Sequence, residues 1–183
     1  MKVPIICGGL NGDKGTIYSC YNYKNGQYEP IVKMNFARRF ASALEVNDTL
    51  WISGGMDGDE VLQTTEMVGT EAKFSQNLPM KMAGHCTTKV NETTALISGG
   101  YDGTYLADTF FINFETMSIS NGPNLNESRY GHGCAMFHHF GKRIAVVAGG
   151  FNGEGLDSAE FLHLDENVYT WIKGKLQLTL NLI

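Results

Sequence analysis

At 183 residues, with 43% apolar and only 18% charged side chains, the chain can bury a substantial core and reads as one globular domain. Its formal net charge of −5 argues against a nucleic-acid partner, and no apolar run is long enough to cross a bilayer. The 22 glycines point to a turn-rich β protein.

Taken in chain order, the period-2 apolar runs and the turn residues between them predict strands over Val3–Gly9, Thr16–Tyr23 and Tyr28–Val32. A second group covers Phe40–Val46, Thr49–Gly55, Val61–Val68 and Lys73–Gln76. A third covers Gly84–Val90, Thr94–Gly100, Leu106–Phe114 and Met117–Ser120. The fourth opens at Gly131 with a short apolar run and turns at Phe140-Gly141-Lys142. It continues through Ile144–Ala148 and the alternating Ala159–Leu164, and ends at Tyr169-Thr170-Trp171. The first group has three strands where the others have four. The tail, Leu176–Leu182, alternates strictly and reads as one more strand with a leucine face.

A glycine doublet closes the second strand of every group: Gly8-Gly9, Gly54-Gly55, Gly99-Gly100 and Gly149-Gly150. Second glycine to second glycine, the spacings are 46, 45 and 50 residues (9 to 55, 55 to 100, 100 to 150). A large apolar residue follows at 19, 19, 19 and 21 residues: Tyr28, Phe74, Ile119 and Trp171. These are expected to fill the gaps between successive sheets. Such a period marks a repeat protein of the propeller type. Glycine suits the doublets because it turns sharply and admits close backbone approach.

An apolar run ending in Gly-Gly, then an Asp/Asn-Gly loop, an alternating strand and a late aromatic resembles the kelch repeat. The likeness is fullest in the last repeat, which keeps the tryptophan. The resemblance implies an all-β, kelch-type β-propeller over residues 1–174. It has about four blades of four antiparallel strands, near 3–32, 40–78, 84–122 and 131–173. Residues 175–183 form a divergent tail. The tail either closes a four-bladed ring by supplying the missing inner strand, or the chain is an incomplete, open arc of a larger propeller. The open arc is the favoured reading, and it would self-associate through exposed blade faces.

Strand parity gathers the two-to-three loops and the four-to-one connections at one end of each blade, where binding residues are expected. The residues singled out there for partner binding are Arg38, Arg39, Arg129, Tyr130, Tyr101, Phe151, Asn11, Asp57, Asp102 and Asn152. Arg38, Arg39 and Arg129 would clamp carboxylates or a phosphate on a partner protein. The family resemblance implies a non-catalytic protein-interaction module, like the substrate-recognition domains of cullin-type ubiquitin ligase adaptors. Actin binding is the alternative, and a kelch-fold oxidase or sugar epimerase a more distant one.

No phosphate-binding loop or nucleophile elbow occurs. His138 and His139 are adjacent, so on a strand they point to opposite faces. Neither a metal nor a cofactor is expected. The opening Met1–Gly8 is too short for a signal peptide and runs into a strand. Cys7, Cys20, Cys86 and Cys134 lack any C-x-x-C pairing and read as small, reduced core residues, which implies the cytoplasm or nucleus. Three Asn-x-Ser/Thr sequons begin at Asn47, Asn91 and Asn126, and read as turn chemistry rather than glycosylation.

Overall fold

The computed structural model describes residues 3–166 and 170–175, and they are all-β. Tyr169 and the alternating tail lie outside the described residues. The chain divides into two compact units, Met1–His85 with Tyr101–Thr104, and Cys86–Gly100 with Tyr105–Ile183.

The first unit holds β1 (Ile5–Cys7), β2 (Leu10–Asn11), β3 (Gly15–Thr16), β4 (Ser19–Lys24) and β5 (Gln27–Lys33). It also holds β6 (Ser42–Val46), β7 (Thr49–Ser53), β8 (Met56–Asp57), β9 (Glu60–Val61), β10 (Thr64–Val68) and β11 (Ala72–Asn77). Strands β1-β4-β5 form a three-stranded antiparallel sheet, and β6-β7-β10-β11 a four-stranded one. Two small hairpins, β2–β3 and β8–β9, project from the two-to-three connections, where the sequence suggested only loops.

The second unit holds β12 (Cys86–Lys89), β13 (Thr94–Tyr101, its last residue counted with the first unit), β14 (Tyr105–Asn113) and β15 (Ser118–Asn121). After them come β16 (Gly133–His139), β17 (Lys142–Ala148), β18 (Ser158–His163) and β19 (Trp171–Lys175). These make two four-stranded sheets, β12-β13-β14-β15 and β16-β17-β18-β19.

Local chemistry fixes the registers. Asn25-Gly26, Asn47-Asp48 and Phe140-Gly141 each place two residues at positive φ between paired strand ends, the geometry of a type I′ hairpin. Val46 then faces Thr49, and His139 faces Lys142. Each unit closes over its own apolar cluster. In the first, Cys20, Met34, Ile52 and Val68 pack together. In the second, Leu96, Leu125, Val147, Leu162 and Trp171 do so. The Trp171 ring buries its carbon framework while Nε1 donates to the Pro123 carbonyl at 2.9 Å.

Two expectations are corrected here. The late aromatics are not a uniform set of gap fillers, since Tyr28 is 61% and Phe74 53% exposed. Trp171 lies opposite Leu162, and the matching place opposite Val68 is taken by Ala72, not Phe74. Counting from the glycines misplaced it because the intervening loop and turn differ in length between repeats. The cysteines are not reduced. Cys7 pairs with Cys20 and Cys86 with Cys134, and no described cysteine is free. Cys7 and Cys20 are register partners on neighbouring strands, and Cys86 and Cys134 sit on the first strands of two sheets. Spacing along the chain reports neither proximity. The argument from free thiols to the cytoplasm therefore falls. No helix among the described residues is long and apolar enough to cross a membrane.

Candidate binding site beside the glycine doublets

The first three glycine doublets are junctions between a sheet and the connection that leads into the next. The first glycine donates within its own sheet: Gly8 to Ser19, Gly54 to Thr64 and Gly149 to Ser158, at 3.1, 3.1 and 3.0 Å. The second donates to the four-to-one connection: Gly9 to Arg38, Gly55 to Met82 and Gly100 to Arg129, at 2.9, 2.9 and 2.7 Å. At Gly99, φ is +58° and a Cβ would stand 2.5 Å from the Arg129 carbonyl oxygen, so a side chain is excluded on both counts.

One residue further on, the connection pairs with the two-to-three loop. Arg39 bridges Met56, Ala83 bridges Tyr101, and Tyr130 bridges Phe151. These are repeat-equivalent pairs, two in the first unit and one in the second. Loops and connections thus meet at the same end of each sheet, as strand parity requires.

Arg38 and Arg129 do not lie on that surface, and this corrects their assignment as partner clamps. They are 1% and 0% exposed. Arg38 donates to the Gly54 and Thr64 carbonyls at 2.6 and 3.0 Å and to Glu66 Oε1 at 2.6 Å. Arg129 donates to the Gly149 and Ser158 carbonyls at 2.9 and 3.1 Å, to Ser158 Oγ at 2.8 Å and to Glu160 Oε1 at 3.1 Å. The carboxylates are equally buried, and each gathers the start of the connection. Glu66 accepts from Asn35 N, Asn35 Nδ2 and Phe36 N. Glu160 accepts from Asn126 N, Asn126 Nδ2 and Glu127 N. A buried arginine stays charged, so its paired carboxylate and carbonyls are what allow it inside.

The third sheet is a natural control. Met82 stands in the place of Arg38 and Arg129, and Phe110, one residue past the threonine matching Thr65, in the place of Glu66 and Glu160. Pro79 stands in the place of Asn35 and Asn126, so the backbone donor that a carboxylate would have accepted from is also gone. The whole polar set is replaced together. That joint recurrence of Asn-x-x-Arg with a glutamate at the third position of the third main strand was the available sequence signal.

Other candidates divide between turn building and exposure. Asn11 Oδ1 accepts from Asp13 N at 2.9 Å, and Asp102 Oδ1 from Thr104 N and Oγ1 at 3.0 and 2.9 Å, so both side-chain oxygens shape their own loops. Asp57 is exposed in β8 and Asn152 half-buried, its N–H donating to the Glu154 carbonyl. Tyr101 and Tyr130 are half-buried. Arg39 donates to the Gly58 carbonyl at 2.9 Å and lies 5.6 Å from the Phe40 ring centroid. The loop ends present apolar and acidic side chains together: Leu10, Phe36 and Phe40 with exposed Asp13, Asp57, Asp59, Glu60 and Asp102 in the first unit, and Phe151, edge-on to Tyr105, with exposed Glu154 in the second. Phe40 is half exposed at φ +54°, a left-handed conformation rare for so bulky a residue.

The histidines at the strand starts are structural. His85 shares a hydrogen bond with Ser53 Oγ at 2.8 Å, and His132 with Ser98 Oγ at 3.0 Å. Burial, and then the neighbouring Arg129 charge, push the His132 imidazole down to about 4. Among the described residues, no three His, Cys, Asp or Glu side chains converge to hold a metal.

No family model matches the chain, and no curated protein matches it in sequence. Among solved structures it is similar to one titled "Structure of YjhT", with a TM-score of 0.72 and 14% identity. The match covers 93% of this chain and 64% of that one, so the chain spans under two thirds of that structure's length. At this identity the likeness is one of fold alone.

Proposed function

We propose that the chain is a kelch-type β-propeller segment that binds another protein through the loop ends beside its glycine doublets. The observation that carries this is the pairing of connection and loop at Arg39–Met56, Ala83–Tyr101 and Tyr130–Phe151. Short bridges and buried Arg–Glu anchors hold these loops on rigid sheet ends, which lowers the ordering cost of binding. Exposed phenylalanines on a rigid base are suited to anchoring a partner segment. With Arg38 and Arg129 buried, Arg39 is the arginine left to meet a carboxylate, and exposed Asp57, Asp59, Asp102 and Glu154 would meet basic groups, so the expected partner segment is apolar with flanking charges of both signs. The propeller is proposed as an open arc. Its β1 strand pairs with β4 alone among the described residues, and Ile5 and Ile6 are 43% and 47% exposed. Self-association at micromolar concentration by size-exclusion chromatography is the expected result, and a stable monomer would count against the arc.

The binding reading is tested by capture from lysate followed by mass spectrometry, comparing the wild-type chain with Phe40→Ser and Phe151→Ser. Phe140→Ser, at a 93% exposed hairpin tip on the opposite end of its sheet, is the control. Partners should be lost with the loop variants and kept with the control. Undiminished recovery by both loop variants would refute the assignment.

A further inference from the structure

We infer that Asn47 and Asn91 are N-glycosylation sites, modified in an oxidising, secretory compartment. Two independent observations converge on this.

The first is the state of the cysteines. All four are paired, and the two pairings are of different kinds. Cys7–Cys20 joins register partners within one sheet. Cys86–Cys134 joins strands of two sheets across 48 residues, with a Cα–Cα distance of 6.0 Å, within the usual range for a disulfide. Bridges that cross-link separate elements of a fold persist where thiols are oxidised and are rare in the cytosol.

The second is how differently the three sequons sit. Asn126 is committed to the fold. Its Nδ2 donates to Glu160 Oε2 at 2.7 Å and to the Trp171 carbonyl at 2.8 Å. Asn35 makes the same two kinds of contact, to Glu66 and the Ala72 carbonyl, in a stretch with no sequon. The structure therefore requires asparagine at that position with or without Ser128, and a sugar on Nδ2 would remove a bond from the buried network. Asn47 and Asn91 are exposed at turns joining the first two strands of their sheets. Among the described residues neither Nδ2 donates a hydrogen bond. At Asn91, Thr93 N and Oγ1 both donate to Oδ1, at 2.9 and 3.3 Å, which leaves Nδ2 as the free end of the carboxamide. Each turn lies at the opposite end of its sheet from the two-to-three loops, so a glycan there leaves the proposed binding surface clear.

The reaction needs an activated donor, a lipid-pyrophosphate-linked oligosaccharide. Nδ2 forms a bond to the anomeric carbon, the bond from that carbon to the pyrophosphate oxygen breaks, and lipid pyrophosphate leaves. The displaced Nδ2 proton passes to a carboxylate of the transferase, and no oxidation or reduction occurs.

The test uses the full chain immunopurified from its own cells under immediate thiol alkylation. Glycans are released enzymatically in heavy-oxygen water, which marks each formerly occupied asparagine as a labelled aspartate. The expected result is label at Asn47 and Asn91, none at Asn126, and a Cys86–Cys134 linked peptide. Thr49→Val, at the start of β7, and Thr93→Val, in the turn before β13, spare the asparagines and should each remove one glycan step on a gel without loss of secretion. Absence of label at both Asn47 and Asn91, label at Asn126, or four alkylated cysteines would each overturn the inference.

Discussion

Replacing Arg129 by methionine separates its two readings, a buried anchor and an exposed clamp. The guanidinium has 0% exposure and spends its donors on two carbonyls, a serine hydroxyl, Glu127 and Glu160. Its removal leaves the Glu160 carboxylate buried beside backbone N–H groups but without a counter-charge. Breaking a buried pair from one side costs about 3–5 kcal/mol, whereas an exposed arginine would cost less than about 1 kcal/mol. With a urea dependence of about 2 kcal/mol per molar, the anchor reading moves the unfolding midpoint down by about 1.5–2.5 M. Tryptophan fluorescence reports it, because the Trp171 carbonyl belongs to the same network. The third sheet suggests the companion variant, Arg129→Met with Glu160→Phe, which copies Met82 and Phe110. No charge is then stranded, so the double change should cost about 1–3 kcal/mol less than the sum of the single ones. A midpoint shift under about 0.5 M for Arg129→Met, or full additivity in the double variant, would refute the reasoning.

Three further outcomes follow from the same structure. His132 has its imidazole pulled from 6.5 to about 4 in the fold. The unfolded chain therefore binds a proton that the folded one refuses, and stability falls as pH drops from 6.5 towards 4. The loss is about 3 kcal/mol in total, visible in urea midpoints taken across that window, and His132→Gln should flatten the profile. Gly99→Ala forces a Cβ against the Arg129 carbonyl at positive φ, and should cost at least about 1–2 kcal/mol and lower the melting temperature; an unchanged melting temperature would contradict the junction role. Chain-entropy arguments give the Cys86–Cys134 link, spanning 48 residues, about 4 kcal/mol, and the Cys7–Cys20 link, spanning 13, about 3 kcal/mol. Cys134→Ser should thus destabilise more than Cys7→Ser, and the reverse order would show that loop length does not govern the effect.

The strands were legible because their signals are local. Alternation across Ser158–His163, the turn residues at Asn25-Gly26 and Phe140-Gly141, and the recurring glycine doublets placed the main strands within a few residues. The β2–β3 and β8–β9 hairpins were missed because two-residue strands carry no period. The charged anchors were missed for a different reason. A charge in a connection is ordinarily solvated, and only the joint pattern of Asn35, Arg38 and Glu66 with Asn126, Arg129 and Glu160 reveals a buried set. Phe74 was misread because a fixed residue count cannot follow loops of unequal length. Disulfide pairing depends on which strands become neighbours, and cysteine spacing says nothing of that.

The most direct test of a protein-binding loop surface is hydrogen–deuterium exchange of the chain with and without a captured partner. The account predicts slowed exchange over residues 10–18, 36–40, 101–105 and 151–156, with the hairpin turns at 47–48, 91–93 and 140–141 unchanged. Protection confined to those turns or to the outer strands, with the doublet-side loops exchanging as in the free chain, would contradict it.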